Sequence, residues 1–177
     1  TLPILDDYDR SRAVGINNNG IICGCCEREV IGDDGETHFE CQPVLWRVNG
    51  GVVVGEPFAL LTSELAFAAA ISDNNAGSCA TVVGSSFPDP NAPKAVEWTV
   101  WDSGGMLTVI DSKVLNPVGI ADAYGVNNDG AVCGTYFDPT TGRLAVVWAG
   151  GTMQALKIAR NFWLPEAYNI NSNGVIV

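Results

Sequence analysis

Four times along the chain, a short apolar stretch runs into an asparagine or a serine and then into a turn. The copies are Ala13-Val-Gly-Ile16-Asn17, Ala68-Ala-Ala-Ile71-Ser72, Ala123-Tyr-Gly-Val126-Asn127 and Ala167-Tyr-Asn-Ile170-Asn171. Their turns are Asn19-Gly20, Asn75-Ala76-Gly77, Asp129-Gly130 and Asn173-Gly174, each leading into a β-prone segment: "IICG", "SCATVVG", "AVCGTYF" and "VIV". A second block recurs as "PVLWRVNGG" (43–51), "AVEWTVWDSGG" (95–105) and "AVVWAGG" (145–151), so that Trp46, Trp98 and Trp148 hold equivalent places before a Gly-Gly pair. A third follows each Gly-Gly: "VVVGEPFALL", "MLTVI" and "TMQALKI", with the opening "TLPIL" as its match. A chain that repeats at this period stacks one supersecondary unit on the next, because no single unit can bury its own apolar face.

Let a denote the Ala-x-x-Ile strand, b the strand after its turn, c the Trp block and d the segment after Gly-Gly. The chain then reads d-a-b, followed by c-d-a-b three times. Four short strands per unit predict an all-β, β-propeller-like repeat domain of about four four-stranded units, the first lacking its c strand. The whole of 1–177 forms a single domain on this reading, with units at approximately 1–24, 43–84, 95–137 and 144–177. Residues 25–42 are left as a long acidic connection. Local propensity disagrees at "TSELAFAAAIS" (62–72), where strong helix formers follow a cap-like Thr or Ser. The register of four copies outweighs that preference and makes 67–72 a strand, with room for a short helical turn at 62–66.

Composition narrows the setting. Twenty acidic residues against nine basic ones give a formal net charge of −11. Such a surface repels phosphate backbones and anionic lipid, so neither a nucleic-acid partner nor membrane insertion is expected. The longest apolar run, "LAFAAAI" (65–71), is too short to cross a bilayer. The opening at Thr1, without initiator Met or leader, suits a mature secreted product or a fragment. Six cysteines point to disulfides and an extracellular or cell-surface location rather than to zinc.

The corners A-x-x-I-N-x-x-G-x-x-x-G, then A-x-x-W, then G-G-x-x-x-x-L resemble the HAF-type extracellular repeats of bacterial secreted proteins. Ile16-Asn17, Gly20 and Gly24, then Val126-Asn127, Gly130 and Gly134, and the three Trp blocks carry the likeness. The His-Ala-Phe start that names the family is replaced by Pro43-Val-Leu, Ala95-Val-Glu and Ala145-Val-Val, and Ser72 stands for Asn in the second unit. The resemblance implies a secreted, repeat-built architecture and no particular catalytic activity.

Candidate sites are few. A calcium loop needs several hard oxygen ligands with carboxylate charge. The Asn-rich turns put Gly15 and Gly125 where the first acidic ligand belongs, and only Asn169, Asn171 and Asn173 offer oxygen at all three places, uncharged. These corners therefore read as hairpin turns of the type I′ kind favoured by Asn-Gly. The metal candidates are Asp33, Asp34, Glu36, His38 and Glu40 in "GDDGETHFE", with Ca2+ as the ion; the competing reading is a solvated acidic loop. A disulfide Cys26–Cys41, or Cys25–Cys41, would close that loop of about 15 residues, worth about 3 kcal/mol in the chain-entropy model. Cys23 and Cys133 share one repeat position and read as small apolar filler on strand b. Trp46, Trp98 and Trp148 read as inter-unit core, leaving Trp101 and Trp163 for exposed ligand contact.

His38 is the only histidine, and no convergent acid, base and nucleophile set can be assembled. The chain is therefore expected to be no enzyme and to need no cofactor. The leading expectation is an extracellular structural or interaction module that self-assembles, as a filament or surface layer, through the edge left by the missing first c strand. The alternative is a glycan- or ligand-binding propeller. A secreted carbohydrate-active enzyme would require a clustered pair of buried carboxylates.

Overall fold

A computed structural model describes residues 1–32, 35–60, 65–73, 78–157 and 164–177. Within them lie three antiparallel four-stranded sheets, each a simple meander. Sheet 1 holds β1 (Arg10–Ile16), β2 (Ile21–Ile31), β3 (Thr37–Asn49) and β4 (Val52–Ala59). Sheet 2 holds β5 (Ala66–Ile71), β6 (Cys79–Ser86), β7 (Lys94–Asp102) and β8 (Leu107–Val114). Sheet 3 holds β9 (Ile120–Val126), β10 (Val132–Asp138), β11 (Gly142–Ala149) and β12 (Thr152–Ala155). After it, residues 167–177 repeat only the first corner, closed by an Ile170–Ile176 bridge.

The fold is all-β, as the repeats require, but the frame differs from the expected one. Strands pair in the order a-b-c-d, giving twelve strands in three complete units, and the first sheet lacks nothing. The reason is local. Each a–b, b–c and c–d step is a hairpin, whereas the chain between d and a crosses to the next layer, so the sheet breaks there. A periodic sequence is compatible with any cyclic frame; hairpin pairing chooses one. The segment 1–5, matched to d, forms no strand.

The acidic connection 25–42 is likewise no loop. β2 and β3 run on as a hairpin paired from Ile21↔Arg47 out to Ile31↔Thr37. Strict alternation along that ladder also overturns the Cys26–Cys41 disulfide. Cys26 lies opposite Gln42 and Cys41 opposite Glu27, so the two side chains leave opposite faces of one sheet. Cys26 packs with Val44 and Trp46. Cys25 shares Cys41's face, on the diagonal, and all six cysteines are free thiols.

The sheets stack through a repeated interdigitation. Trp98, Val96 and Val100 of β7 pack on Ile21, Cys23 and Leu45 of sheet 1. Trp148, Val146 and Val132 of sheet 3 pack on Val83 and Ala95 of sheet 2. Trp46 has no sheet before it; Leu2, Leu5 and Tyr8 cover it instead, and its indole N–H donates to the Pro3 carbonyl at 2.8 Å. Leu5, Leu60 and Leu115 each stand eleven residues ahead of Ile16, Ile71 and Val126. "TLPIL" thus does the packing of a preceding unit's last strand without being one. The three tryptophans are at most 5% exposed. Each removes about 5 kcal/mol worth of apolar area from water as an upper figure, at 25 cal/mol per Å2 over about 200 Å2.

The propensity conflict at 62–72 resolves as the register demanded, with β5 a strand from Ala66 to Ile71. Of residues 62–66, where a short helical turn was expected, 62–64 lie outside the described residues and Ala66 already belongs to β5. The recurrent glycine of strand b has a steric cause. In each sheet the a–b pairing slips beside it, bringing the inner strand's backbone close. A Cβ on Gly24, Gly84 or Gly134 would sit 2.0, 1.8 or 1.9 Å from a carbonyl oxygen of that strand.

Candidate functional site

The a–b corners differ from the expected type I′ turns. Gly20, Gly130 and Gly174 have positive φ, but the asparagine or aspartate before each does not. Each corner is a tight turn closed by Gly N–H to the carbonyl of Asn17, Asn127 or Asn171, with a left-handed glycine after it. Both central residues are left-handed at Gly50-Gly51 and Gly150-Gly151 instead, in the c–d turns.

The first asparagine of each corner is consumed by the turn. Asn17 Oδ1 accepts from the backbone N–H groups of Asn19 and Ile21, at 3.1 and 2.9 Å. Asn127 Oδ1 accepts from Asp129 and Ala131 at the same distances, and Asn171 Oδ1 from Asn173 and Val175 at 3.0 and 2.9 Å. Their amides reach the next unit. Asn17 Nδ2 donates to the Ser72 carbonyl at 3.0 Å and Asn127 Nδ2 to the Asn171 carbonyl at 3.2 Å. Ser72 has no amide to pass on; its hydroxyl accepts from Thr81 N–H at 2.9 Å.

A second ladder runs one residue further along. The Asp73 carboxylate accepts from Asn18 N–H at 2.7 Å, Asn18 Nδ2 at 2.9 Å and Asn128 Nδ2 at 2.9 Å. Asp73 N–H returns a bond to Asn128 Oδ1 at 2.9 Å. These bonds, the Asn18 backbone N–H foremost, hold the Asp73 carboxyl below the ordinary carboxylate range. All four corners line a single groove of about 310 Å3, floored by Asn17, Asp73, Asn127 and Ser172. The side-chain oxygens of Asn17, Asp73, Asn127 and Asn128 in it already accept protein hydrogen bonds, so the groove acts as an inter-unit clamp.

Polar ties recur elsewhere between the layers. Arg47 of β3 donates to Asp102 of β7, Ser85 Oγ of β6 to Asp122 of β9 at 2.7 Å, and Arg143 of β11 to Glu166 beyond β12. Asp102 is the one carboxylate among the buried described residues, and its partner is a guanidinium. The clustered pair of buried carboxylates that glycoside hydrolysis would need is not found among the described residues.

Of the acidic cluster, Glu36, His38 and Glu40 fall within the described residues. Asp33 and Asp34 lie outside the described residues. Glu36 and His38 are exposed at the hairpin tip, and Glu40 accepts from Arg28 at 2.6 and 2.8 Å. Among the described residues, no group of three His, Cys, Asp or Glu side chains could hold a metal. Cys25, missed as a focus by the sequence, has the richest thiol environment. It accepts from Cys41 and from Arg12 Nη2 at 3.9 Å and lies 3.4 Å from a Glu27 carboxylate oxygen. The Cys41 hydrogen bond and Arg12 pull the Cys25 thiol down, and giving that bond pushes Cys41 up. Burial pushes Cys23 up to about 12, as expected of inert filler. Trp101 is 41% exposed, in keeping with an outward position; Trp163 lies outside the described residues.

Compared with known proteins, the chain matches no family model, no curated protein sequence and no solved structure.

Proposed function

We propose that the chain is a non-catalytic extracellular interaction module of propeller-like construction that self-assembles through the exposed apolar surface of its last corner. The observation that carries this reading is the Asn and Asp ladder, which gathers the corners of all four units onto one groove. A fourth corner held in register by such rungs is a template for further strands. The HAF-type likeness and the acidic surface support a secreted, surface-exposed setting.

The assembling edge is thereby moved from the first unit to the last. The corner 167–177 is anchored by Ala167 and Ile170 against Cys133 and Ala145. Tyr168, Val175 and Val177 on the same corner are 62, 58 and 74% exposed, an apolar surface that a strand from another copy would cover. Heterologous contacts of this kind build rings or open fibres. Light scattering after size exclusion tests it: the mass should rise with protein concentration, and Val175→Glu should suppress the rise. A constant monomer mass across the accessible range overturns the assembly.

A further inference from the structure

Between sheets 2 and 3 the repeat pattern is broken in a way that the stack itself does not require. On strand c, the residue before each tryptophan faces the next layer, and it is Leu45, Glu97 and Val147 in the three sheets. Only Glu97 is charged. Its side chain is 13% exposed and pairs across strands with Lys113 of β8, Nζ to Oε1 at 3.0 Å. The pair stands at a cleft of about 410 Å3 whose opposite wall is built by Trp148, Val132, Gly130 and the Gly150-Gly151 turn. Between sheets 1 and 2 the related cleft has Leu45 and Phe58 at the places of Glu97 and its neighbour across the strands, with Arg47, Glu56 and Met106 also lining it.

The tryptophan at this cleft is also the exception among its equivalents. Trp46 Nε1 donates to the carbonyl of Pro3. Lys113 occupies the place of Pro3, two residues before the aligned leucine, yet Trp148 Nε1 is fully buried and has no partner. It is the only buried side-chain nitrogen or oxygen among the described residues left so, and Trp148 is 5% exposed. A buried donor without an acceptor is costly to keep, and natural proteins leave few of them.

We infer that this cleft binds a small neutral polyhydroxylated molecule, a saccharide of one or two rings. The Lys113 ammonium supplies a donor and the Glu97 carboxylate an acceptor, and a small turn of the Trp148 indole on binding brings its buried Nε1–H to the ligand as a second donor. Opposite charges in one cleft disfavour a simple cation or anion, whereas adjacent hydroxyls both give and accept hydrogen bonds. Leu115 on one side of the cleft and Val132 on the other offer aliphatic contacts suited to the C–H faces of a sugar ring. The volume falls in the range of small-molecule sites, about 300–1,000 Å3. The site does not depend on that self-assembly, since Glu97, Lys113 and Trp148 lie in sheets 2 and 3.

The test is 1H–15N NMR of the full chain, following the indole N–H signals, with Trp148 assigned by its loss in Trp148→Phe. Glucose, galactose, mannose, N-acetylglucosamine, cellobiose and lactose are titrated in turn. The expected result is a saturable shift of the Trp148 signal with at least one sugar, weakened about tenfold or more in Glu97→Gln. Lys113→Gln, at a side chain 56% exposed, gives a second reading should Glu97→Gln fail to fold. No saturable shift with any sugar overturns the inference, as does a shift that both variants leave unchanged. An indole N–H that exchanges magnetisation with a trapped water while ignoring every sugar identifies a buried water only, and overturns it too.

Discussion

Replacing Asn17 by alanine should reveal how much of the stack depends on the corner ladder. Asn17 is 7% exposed, so little apolar burial changes with the substitution. At least three hydrogen bonds are lost: two accepted by Oδ1 from Asn19 and Ile21 N–H, and one given by Nδ2 to the Ser72 carbonyl. At about 0.5–1.5 kcal/mol each, with buried backbone groups stranded on both sides, the expected loss is about 2–4 kcal/mol. Asn17→Asp separates the parts. It keeps the acceptor for the turn but sets a carboxylate against the Ser72 carbonyl, so it removes the inter-unit rung while sparing the corner. Its cost should be smaller than that of alanine at neutral pH only if the turn bonds dominate; a cost as large as alanine's assigns the weight to the rung. Urea unfolding followed by tryptophan fluorescence reads both, with the slope m unchanged if the native state keeps its extent. A loss below about 0.5 kcal/mol for Asn17→Ala would refute the ladder as a clamp, since that is the range of surface substitutions that touch nothing.

Two further outcomes can be checked with the same assay. Gly84→Ala should cost more than about 3 kcal/mol or abolish folding, because its Cβ would lie 1.8 Å from the Phe67 carbonyl oxygen, whereas Gly105→Ala, with nothing within 4 Å, should stay within about 0.5 kcal/mol. Asp73 has a folded pKa below its unfolded one, so its contribution is present above the unfolded value, near pH 4, and is lost as pH falls from there through the folded value. Solvent screening keeps that contribution below about 1 kcal/mol; the acid limb of the urea midpoint should flatten in Asp73→Asn, and parallel limbs would refute it.

The parts of this protein legible in one dimension are those governed by contacts near in sequence. Apolar runs ending in Asn-Gly or Asp-Gly marked the a–b hairpins, and the equivalent placing of Trp46, Trp98 and Trp148 marked the layer between units. The same repetition concealed the frame. A pattern d-a-b-c-d-a-b reads equally well from any starting strand, and only the pairing of β1 through β4 showed that the first sheet is whole. The turn chemistry was half legible. Asn-Gly announced a corner, but the asparagine that matters comes three residues before the glycine, and its role is settled by a carbonyl 55 residues away.

The cysteines and the cleft show the same division from the side of individual residues. Proximity in sequence suggested Cys26 to Cys41, yet the pleat sends them to opposite faces, and a shift of one residue decides everything because the strand period is two. Glu97 could have been noticed as the odd member of Leu45, Glu97 and Val147, but its meaning waited on the orphaned Trp148 indole across the cleft. The sequence by itself determined a secondary-structure alphabet, a repeat period and an acidic surface, because propensity, turn chemistry and charge act within a few residues. Only the tertiary structure decided the frame, the inter-unit rungs and which polar groups are left unpaired. Those depend on which strands end up 5 to 10 Å apart, about the spacing of neighbouring strands and stacked sheets, and local preferences do not encode that distance.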